Sequence, residues 1–287
     1  MHIAYLSTDD LSAYETDEAL TEAPLVERGC SVDYVSWHAA ATDWSRFDAV
    51  IIRTPWDYHE HVDAFLAQLE AIKASGTRLF NPLSLVRWNA DKRYLRDLEQ
   101  RGIAIVPTVW GEADDIADTR ALFDQLGTDA MVVKPVVSAG AMDTFRLHRP
   151  VAATLRNQVA EVFARRPFMA QPFVNAVVAE GEFSVFFFGG VYSHAILKTP
   201  KAGDFRVQEE FGSRLQRIDP TPALMLATTR VMDALNDIPL YARVDVVRMP
   251  DGSFALMEFE LIEPGLYFRL DPPSATRFAE AILNALL

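Results

Sequence analysis

The sequence is short of the residues that carry several common chemistries. Its only cysteine, Cys30, leaves no partner for an intrachain disulfide and no cysteine set for a zinc site, a usage that fits a reducing compartment. Cys30 follows a helix stop in a predicted buried strand and reads as structural. The six histidines are scattered, and His59 and His61 would point in roughly opposite directions on a helix, which argues against paired metal ligation. The chain lacks a Gly-x-x-x-x-Gly-Lys-Ser/Thr phosphate loop, a Gly-x-Gly-x-x-Gly fingerprint and a His-Glu-x-x-His zinc helix. Long apolar runs are missing too. The richest, Phe183 to Tyr192, holds Ser184, Gly189 and Gly190 and is well short of the roughly 20 residues a membrane helix needs. The N-terminus turns acidic at Asp9-Asp10, where a signal peptide would be apolar. Basic residues are the minority, 27 against 40 acidic, for a net charge of −13, so no overall positive field draws in a nucleic acid. The expectation is a soluble, cytoplasmic protein with neither a nucleic-acid nor a membrane partner.

What is present is enough to fold. Half of the 287 residues are apolar, and the length suits two domains or one elaborated domain. The first ninety residues alternate strand and helix. Strands are predicted over His2–Leu6, Val32–Trp37 and Ala49–Ile52, with helices over Thr16–Arg28 and His59–Ala74 closed by Gly29 and Gly76. This order reads as an open α/β sheet with helices against it. A charged helix, Asp91–Arg101, ends at Gly102. Strand Ala104–Val109, helix Asp114–Leu126, strands Ala130–Pro135 and Thr144–Leu147, helix Val151–Arg165 and strand Phe168–Phe173 follow. From Glu182 the pattern is antiparallel: Phe183–Phe188, a Gly189-Gly190 turn, and Val191–Leu197. Pro200–Gly212 reads as a long loop of the kind that often serves as a lid, and helices Pro222–Asn236 and Ala275–Leu287 bracket two last strands.

Those two strands carry the chemical argument. Tyr241–Met249 and Phe254–Ile262 flank Pro250-Asp-Gly-Ser253, and Asp251-Gly252 is a strong two-residue hairpin signal. With 250 opposite 253, Asp245 faces Glu258 and Arg243 faces Glu260. Side-chain alternation then puts all four on one face, with Val244, Val246, Met257, Phe259 and Leu261 on the other. Like charges across a ladder repel, so something must neutralise them. Three clustered carboxylates suit a hard cation such as Mg²⁺ or Mn²⁺. The alternative is a solvated polar face with Arg243 in a surface salt bridge.

At these residues the chain resembles the ATP-grasp superfamily of ATP-dependent ligases, most closely the glutathione synthetase and RimK-like branch. Trp88-Asn-Ala-Asp-Lys92 resembles the start of that family's nucleotide-binding lid, and Val132-Val-Lys-Pro135 its lysine-bearing lid strand. Ser138-Ala-Gly140 resembles the small-residue loop over the phosphates, and Gln171-Pro172-Phe173-Val174 the hinge that meets adenine. Glu182 resembles the ribose-binding acid, and Met257–Pro264 the metal-binding strand. The resemblance implies α/β (α+β) architecture: an N-terminal open α/β domain (1–88), a small lid (89–171) and a C-terminal antiparallel-sheet domain (172–287).

It further implies ATP and Mg²⁺ as cofactors, with Asp245, Glu258 and Glu260 on the metal. Lys92, Lys134, Ser138, Gly140, Gln171, Pro172, Phe173, Val174 and Glu182 would hold the nucleotide, while Lys198, Arg206 and Arg243 would balance charge during catalysis. One departure stands out: the family's Glu-x-Asn metal pattern is Glu258-x-Glu260 here, which keeps an oxygen donor and adds negative charge. Glu263, in a segment without the family's small polar residues, becomes a candidate for acceptor specificity. Read alone, Lys92 is also a solvated helix residue, Lys134 a strand-end lysine and Arg206 an exposed loop arginine.

Ile52-Arg53-Thr-Pro-Trp56-Asp57 ends a strand of the first domain, where open α/β sheets place ligands. Arg53 could clamp a substrate carboxylate and Trp56 wall the pocket; equally, Arg53 could tie the loop together. This motif, with Trp88–Tyr94 and Lys198–Gln208, is also similar to the ATP-grasp ligases that close the D-cycloserine ring. The expected function is thus ATP-dependent carboxylate–amine ligation through an acylphosphate on a small amino acid or peptide. The alternatives are intramolecular cyclisation of a small amino acid and a nucleotide-binding module without catalysis. Related ligases often pair, so the resemblance also implies a homo-oligomer.

Overall fold

The computed structural model describes residues 1–12 and 14–287. Apolar strands alternate with helices in the first hundred. These are β1 (His2–Ser7), α1 (Glu22–Val26), β2 (Ser31–Ser36), β3 (Ala49–Thr54), α2 (Val62–Ala74), β4 (Arg78–Phe80), α3 (Leu83–Asn89) and α4 (Tyr94–Gln100). The strands form a parallel sheet in the order β2-β1-β3-β4. Every residue of β3 is buried, as befits an inner strand of a sheet covered on both faces. The predicted helix Thr16–Arg28 shortens to a 3-10 turn over Glu18–Thr21 followed by α1.

A second, antiparallel sheet contains β5 (Val109–Gly111), then after α5 (Thr119–Leu126) β6 (Ala130–Pro135) and β7 (Phe145–His148), and after α6 (Ala153–Val162) β8 (Phe168–Pro172). Its order is β5-β8-β6-β7. The Asp118 carboxylate caps α5 by accepting from the Ala121 amide, and Gly127 ends it in the left-handed conformation at φ 61°. Phe123, Met131, Val133, Leu147, Phe163 and Phe168 form a core private to this unit. Strand Ala104–Val109 was expected to lead into it. Instead β5 starts at Val109, and Ile105 makes an isolated parallel bridge to Leu256.

The third sheet follows α7 (Ala176–Ala179). It combines β9 (Glu182–Phe188), β10 (Val191–Thr199), β11 (Arg214–Ile218) and, after α8 (Pro222–Asp233), β12 (Tyr241–Arg248) and β13 (Phe254–Glu260), with α9 (Pro273–Leu286) closing the chain. All pairs are antiparallel, in the order β11-β10-β9-β12-β13. β4 and β11 were not foreseen: the first is only three residues long, and the second, Arg-Leu-Gln-Arg-Ile, is a charged edge strand.

Period-two alternation decides what each face of this sheet does. Phe183, Val185, Phe187, Val244, Val246, Leu256 and Phe259 face Leu95 and Leu98 of α4 and Leu224 and Val231 of α8. On the opposite face, Phe186, Phe188 and Tyr241 pack with Phe278 of α9 and with Ile3, Tyr5 and Ile51 of the first sheet. Burial of each such phenylalanine contributes about 1.5–3 kcal/mol. Further along that second face the residues turn polar, and there the cleft opens.

The hairpin reaches its register by a route the sequence did not announce. Met249 and Ser253 close the turn through a 2.8 Å amide–carbonyl bond, with Pro250, Asp251 and Gly252 between them and Gly252 at φ 84°. This is one residue longer than the predicted turn. A bulge between Asp245 and Val246 compensates: Val246 pairs with Leu256, whereas Asp245 pairs with Glu258. Asp245 still faces Glu258 and Arg243 still faces Glu260. Met257 is the displaced residue. It leaves the core face assigned to it, where Leu256 packs instead, and lines the cleft.

Candidate active site

The three sheets surround a cleft of about 450 Å³. Its floor is the polar part of β9, β10, β12 and β13. Ligand atoms of Asp245, Glu258 and Glu260 lie within 4.8 Å of one another, a group able to hold a metal ion. Arg243, two residues before Asp245 on the same strand face, donates to it from Nε at 3.0 Å and from Nη2 at 2.9 Å, and Nη2 also donates to Glu260. Ser184, opposite Asp245 on β9, donates its hydroxyl to the same carboxylate. Lys198 of β10 stands 2.6 Å from Glu182 and 3.4 Å from Asp245. Lys92 reaches across from the start of α4 to 3.2 Å from Glu258 and donates to the Ser138 carbonyl.

The electrostatics follow from this crowding. Burial opposes ionisation of Asp245, but Arg243 and Lys198 outweigh it and hold its pKa below the ordinary value. Glu258 is likewise held low, with Lys92 and Lys134 overcoming burial. Glu260 goes the other way. Burial, reinforced by Glu258 and Asp245, pushes it up to about 7 despite Arg243. Three hard oxygen donors with a surplus of negative charge fit a divalent cation.

The wall opposite comes from the second sheet. Alternation along β6 sends Met131 and Val133 into their core while Val132 and Lys134 line the cleft. Burial lowers the Lys134 pKa, with Glu258 pulling it back up, and among the described residues no carboxylate lies within ion-pair distance of it. Ser138 and Gly140 sit in the loop beside it, with Gly140 at φ 58°. Gln171, Pro172, Phe173 and Val174 line the cleft, and Gln171 donates its amide to the Thr108 hydroxyl at 3.0 Å. Arg206 also lines it, but the Asp204 carboxylate holds it from Nε at 3.1 Å and Nη2 at 2.7 Å, and its guanidinium lies 3.6 Å over the Phe211 ring.

The remaining wall belongs to the first sheet and the segment after β13. Trp56 lines the cleft and donates its indole N–H to the Glu263 carbonyl at 3.0 Å. Glu263 lines it too, and burial together with Glu260 pushes its pKa up to about 8. Arg53 requires a correction. It is fully buried behind the cleft, where Nη2 donates to Glu18 at 3.1 Å and to the Pro264 carbonyl at 3.0 Å, so it ties segments together and cannot clamp a substrate.

Several cleft residues escaped sequence reasoning. Asn89 works as a strand substitute: its amide donates to the Phe259 carbonyl at 2.7 Å and its oxygen accepts from the Leu261 amide at 2.9 Å, which anchors the free edge at the end of β13. Its place in Trp88-Asn-Ala-Asp-Lys92 was the available signal. Tyr267, a non-glycine at φ 49°, and Arg269, which joins Asp17 at 2.9 Å to Glu209 at 2.5 Å, line the mouth. No local pattern marks either. His59 lines the cleft with Nδ1 3.1 Å from the Trp56 carbonyl, whereas His194 is buried, stacked on Phe186 at 4.2 Å.

Three sheets meeting at a cleft with a carboxylate triad and two facing lysines define an ATP-grasp ligase, an ATP-dependent enzyme. Comparison narrows the class. Residues 3–81 match the family model of the D-cycloserine synthetase DcsG N-terminal domain. The cycloserine biosynthesis protein DcsG of Streptomyces lavendulae is 36% identical over 283 aligned residues, which cover 92% of this chain and 93% of that protein. The crystal structure of D-cycloserine synthetase DcsG superposes with a TM-score of 0.89 at 32% identity over the whole of both chains. The chain therefore belongs to the family of ATP-grasp ligases that includes D-cycloserine synthetase. More distant structures share the fold. D-alanine–D-alanine ligase of Bacillus anthracis has a TM-score of 0.71 at 15% identity, covering 100% of this chain and 97% of that one. The ATP-grasp ligase PsnB, complexed with a precursor variant, Mg and ADP, has a TM-score of 0.69 at 14% identity, with 99% and 98% covered. No helix among the described residues is long and apolar enough to cross a membrane.

Proposed function

We propose that the protein uses ATP and Mg²⁺ to activate a small substrate carboxylate as an acylphosphate, which an amine then captures with release of phosphate. The observation that carries this reading is the triad of Asp245, Glu258 and Glu260, gathered within 4.8 Å and flanked by Lys92. These carboxylates would hold Mg²⁺, which supplies charge neutralisation on the transferring phosphoryl group. Lys134, with no acid of its own, is a donor for phosphate oxygens. Gln171 to Val174 and Glu182 bind the nucleoside end. Lys198 and Arg243 keep Asp245 ionised and aimed. The division 1–88, 89–171 and 172–287 assigns the lid to the second segment, and its closure would keep water from the acylphosphate.

ADP release in a coupled assay over a panel of amino acids and peptides tests the proposal. Tight ATP binding without turnover on any member would defeat it.

A second reading is favoured by the 36% identity to the cycloserine biosynthesis protein: the amine and the carboxylate belong to one molecule, and the product is a ring. Product mass separates the two. Joining two substrates adds their masses less water, and cyclisation consumes one substrate alone.

A further inference from the structure

Arg146 of β7 differs from the other arginines in the company it keeps. Among the described residues, every other arginine that is not exposed lies within 4 Å of a carboxylate, and Arg146 lies that near to none. Its Nε is buried and makes no hydrogen bond. Taking a cation out of water is costly unless something compensates it, and here the compensation comes from an aromatic face. The guanidinium Cζ stands 3.5 Å from the centroid of the Phe173 ring, well inside the roughly 6 Å over which a ring face attracts a cation.

Strand pairing sets up this contact. Arg146 pairs with Val132 across β6–β7, and Val132 pairs with Gln171 across β6–β8. Cross-strand partners share a face, so Arg146 stands on the side of the second sheet from which Val132 and Gln171 line the cleft. β8 ends at Pro172, and the next amide, that of Phe173, still donates to the Ala130 carbonyl at 2.8 Å, which keeps the ring within reach of β7. Phe173 lines the cleft and Arg146 does not. The guanidinium therefore backs a wall residue instead of meeting what the cleft holds. Phe205, from the loop after β10, meets the same ring edge-on at a centroid separation of 6.1 Å, so the ring is held from two sides.

We propose that Arg146 is a positioning residue for the nucleotide: by stacking on Phe173 it fixes the ring that walls the nucleoside end of the cleft. A wall already in place leaves less to be ordered when the nucleotide arrives, and affinity rises accordingly. This rests on the assignment of Gln171 to Val174 to the nucleoside end and adds to it a residue of another strand that acts through Phe173 alone.

The test is calorimetric titration of the full chain with ADP in saturating Mg²⁺, arranged as a double-mutant cycle. Arg146→Met and Arg146→Gln each fill the place without the charge and are expected to weaken ADP binding about tenfold. Arg146→Lys keeps a cation over the ring and should recover part of the loss, which a merely space-filling role would not produce. In a Phe173→Leu background, Arg146→Met should change ADP affinity little, because the ring it acts through is gone. Melting curves report the fold of each variant. Unchanged affinity in the two uncharged variants, no recovery in Arg146→Lys, or losses that simply add in the double variant would overturn the proposal. The cycle also separates it from the reading it rests on. ADP affinity indifferent to Phe173→Leu defeats the nucleoside-end assignment and the proposal together, whereas affinity that depends on Phe173 and not on Arg146 defeats the proposal alone.

Discussion

Asp245 and Glu258 are direct partners across the β12–β13 ladder, one pair before the bulge that displaces Met257. Two carboxylates in this relationship repel, and the hairpin tolerates them because Lys198 and Arg243 serve one while Lys92 serves the other. The site's charge balance is therefore built from three separate elements, and each can be tested by removing one charge.

Glu258→Gln keeps the size of the side chain and its place in the ladder. Turnover should fall by about a thousandfold, since a metal's charge stabilisation is worth several kcal/mol. Circular dichroism should show an unchanged fold. Near-normal ADP release in this variant would remove Glu258 from the metal site.

Arg243→Met strands Asp245 and Glu260 without their shared guanidinium. Breaking a buried pair on one side costs about 3–5 kcal/mol. A divalent cation that binds the folded triad should return part of this, so Mg²⁺ is expected to raise the variant's melting temperature more than the wild type's. Equal shifts in the two proteins would argue against the triad as the binding place.

Asn89→Ala leaves the Phe259 carbonyl and the Leu261 amide unpaired. Each buried orphan costs about 1–3 kcal/mol, so urea denaturation should show a loss of about 2–6 kcal/mol. Because this clamp holds the strand that carries Glu258 and Glu260, Mg²⁺ affinity should fall with it.

Asp204→Ala frees Arg206 from the two bonds that hold its Nε and Nη2 edge. The arginine remains but loses its orientation, so KM for ATP should rise by about tenfold, and Asp204→Asn should recover part of the effect. A change confined to kcat would exclude Asp204 as a positioning residue for nucleotide binding.

His194 makes acid stability a readout of the core. Burial lowers its pKa from 6.5 to about 4. An unfolded chain takes up the proton below about 6.5, and the folded one refuses it until about 4. Its stabilising contribution is thus complete above the higher value and lost as pH falls towards the lower, up to about 3 kcal/mol. In His194→Gln the loss of stability between pH 7 and pH 4.5, followed by urea denaturation, should be smaller than in the wild type.

The strands of the core and the triad were legible because both depend on short-range pattern. Alternation in Tyr241–Arg248 and in the end of Phe254–Glu260 puts Asp245, Glu258 and Glu260 on one face and Val244, Val246 and Phe259 on the other, whatever lies beyond the hairpin. The predicted β6 coincides with the observed Ala130–Pro135 for the same reason. Legibility failed where two local effects cancelled. The longer turn and the bulge each shift register by one residue, so the facing pairs came out right while Met257 was assigned to the wrong side. It failed also for β4 and β11, whose lengths or charged edges carry too little hydrophobic periodicity to stand out.

Local order along the chain specified which side chains share most strand faces and where α2 and α5 stop, because those properties depend on neighbours two to four residues away. Packing alone decided what each charged group meets. Arg53 is equally suited in composition to clamp a ligand or to brace the interior, and partners 35 and 211 residues distant, Glu18 and Pro264, made it a brace. In the same way, Glu263 came to line the cleft with no lysine or arginine within 4 Å among the described residues. The groups that could neutralise a charge come from remote segments, and only the folded chain brings some of them within reach and leaves others out.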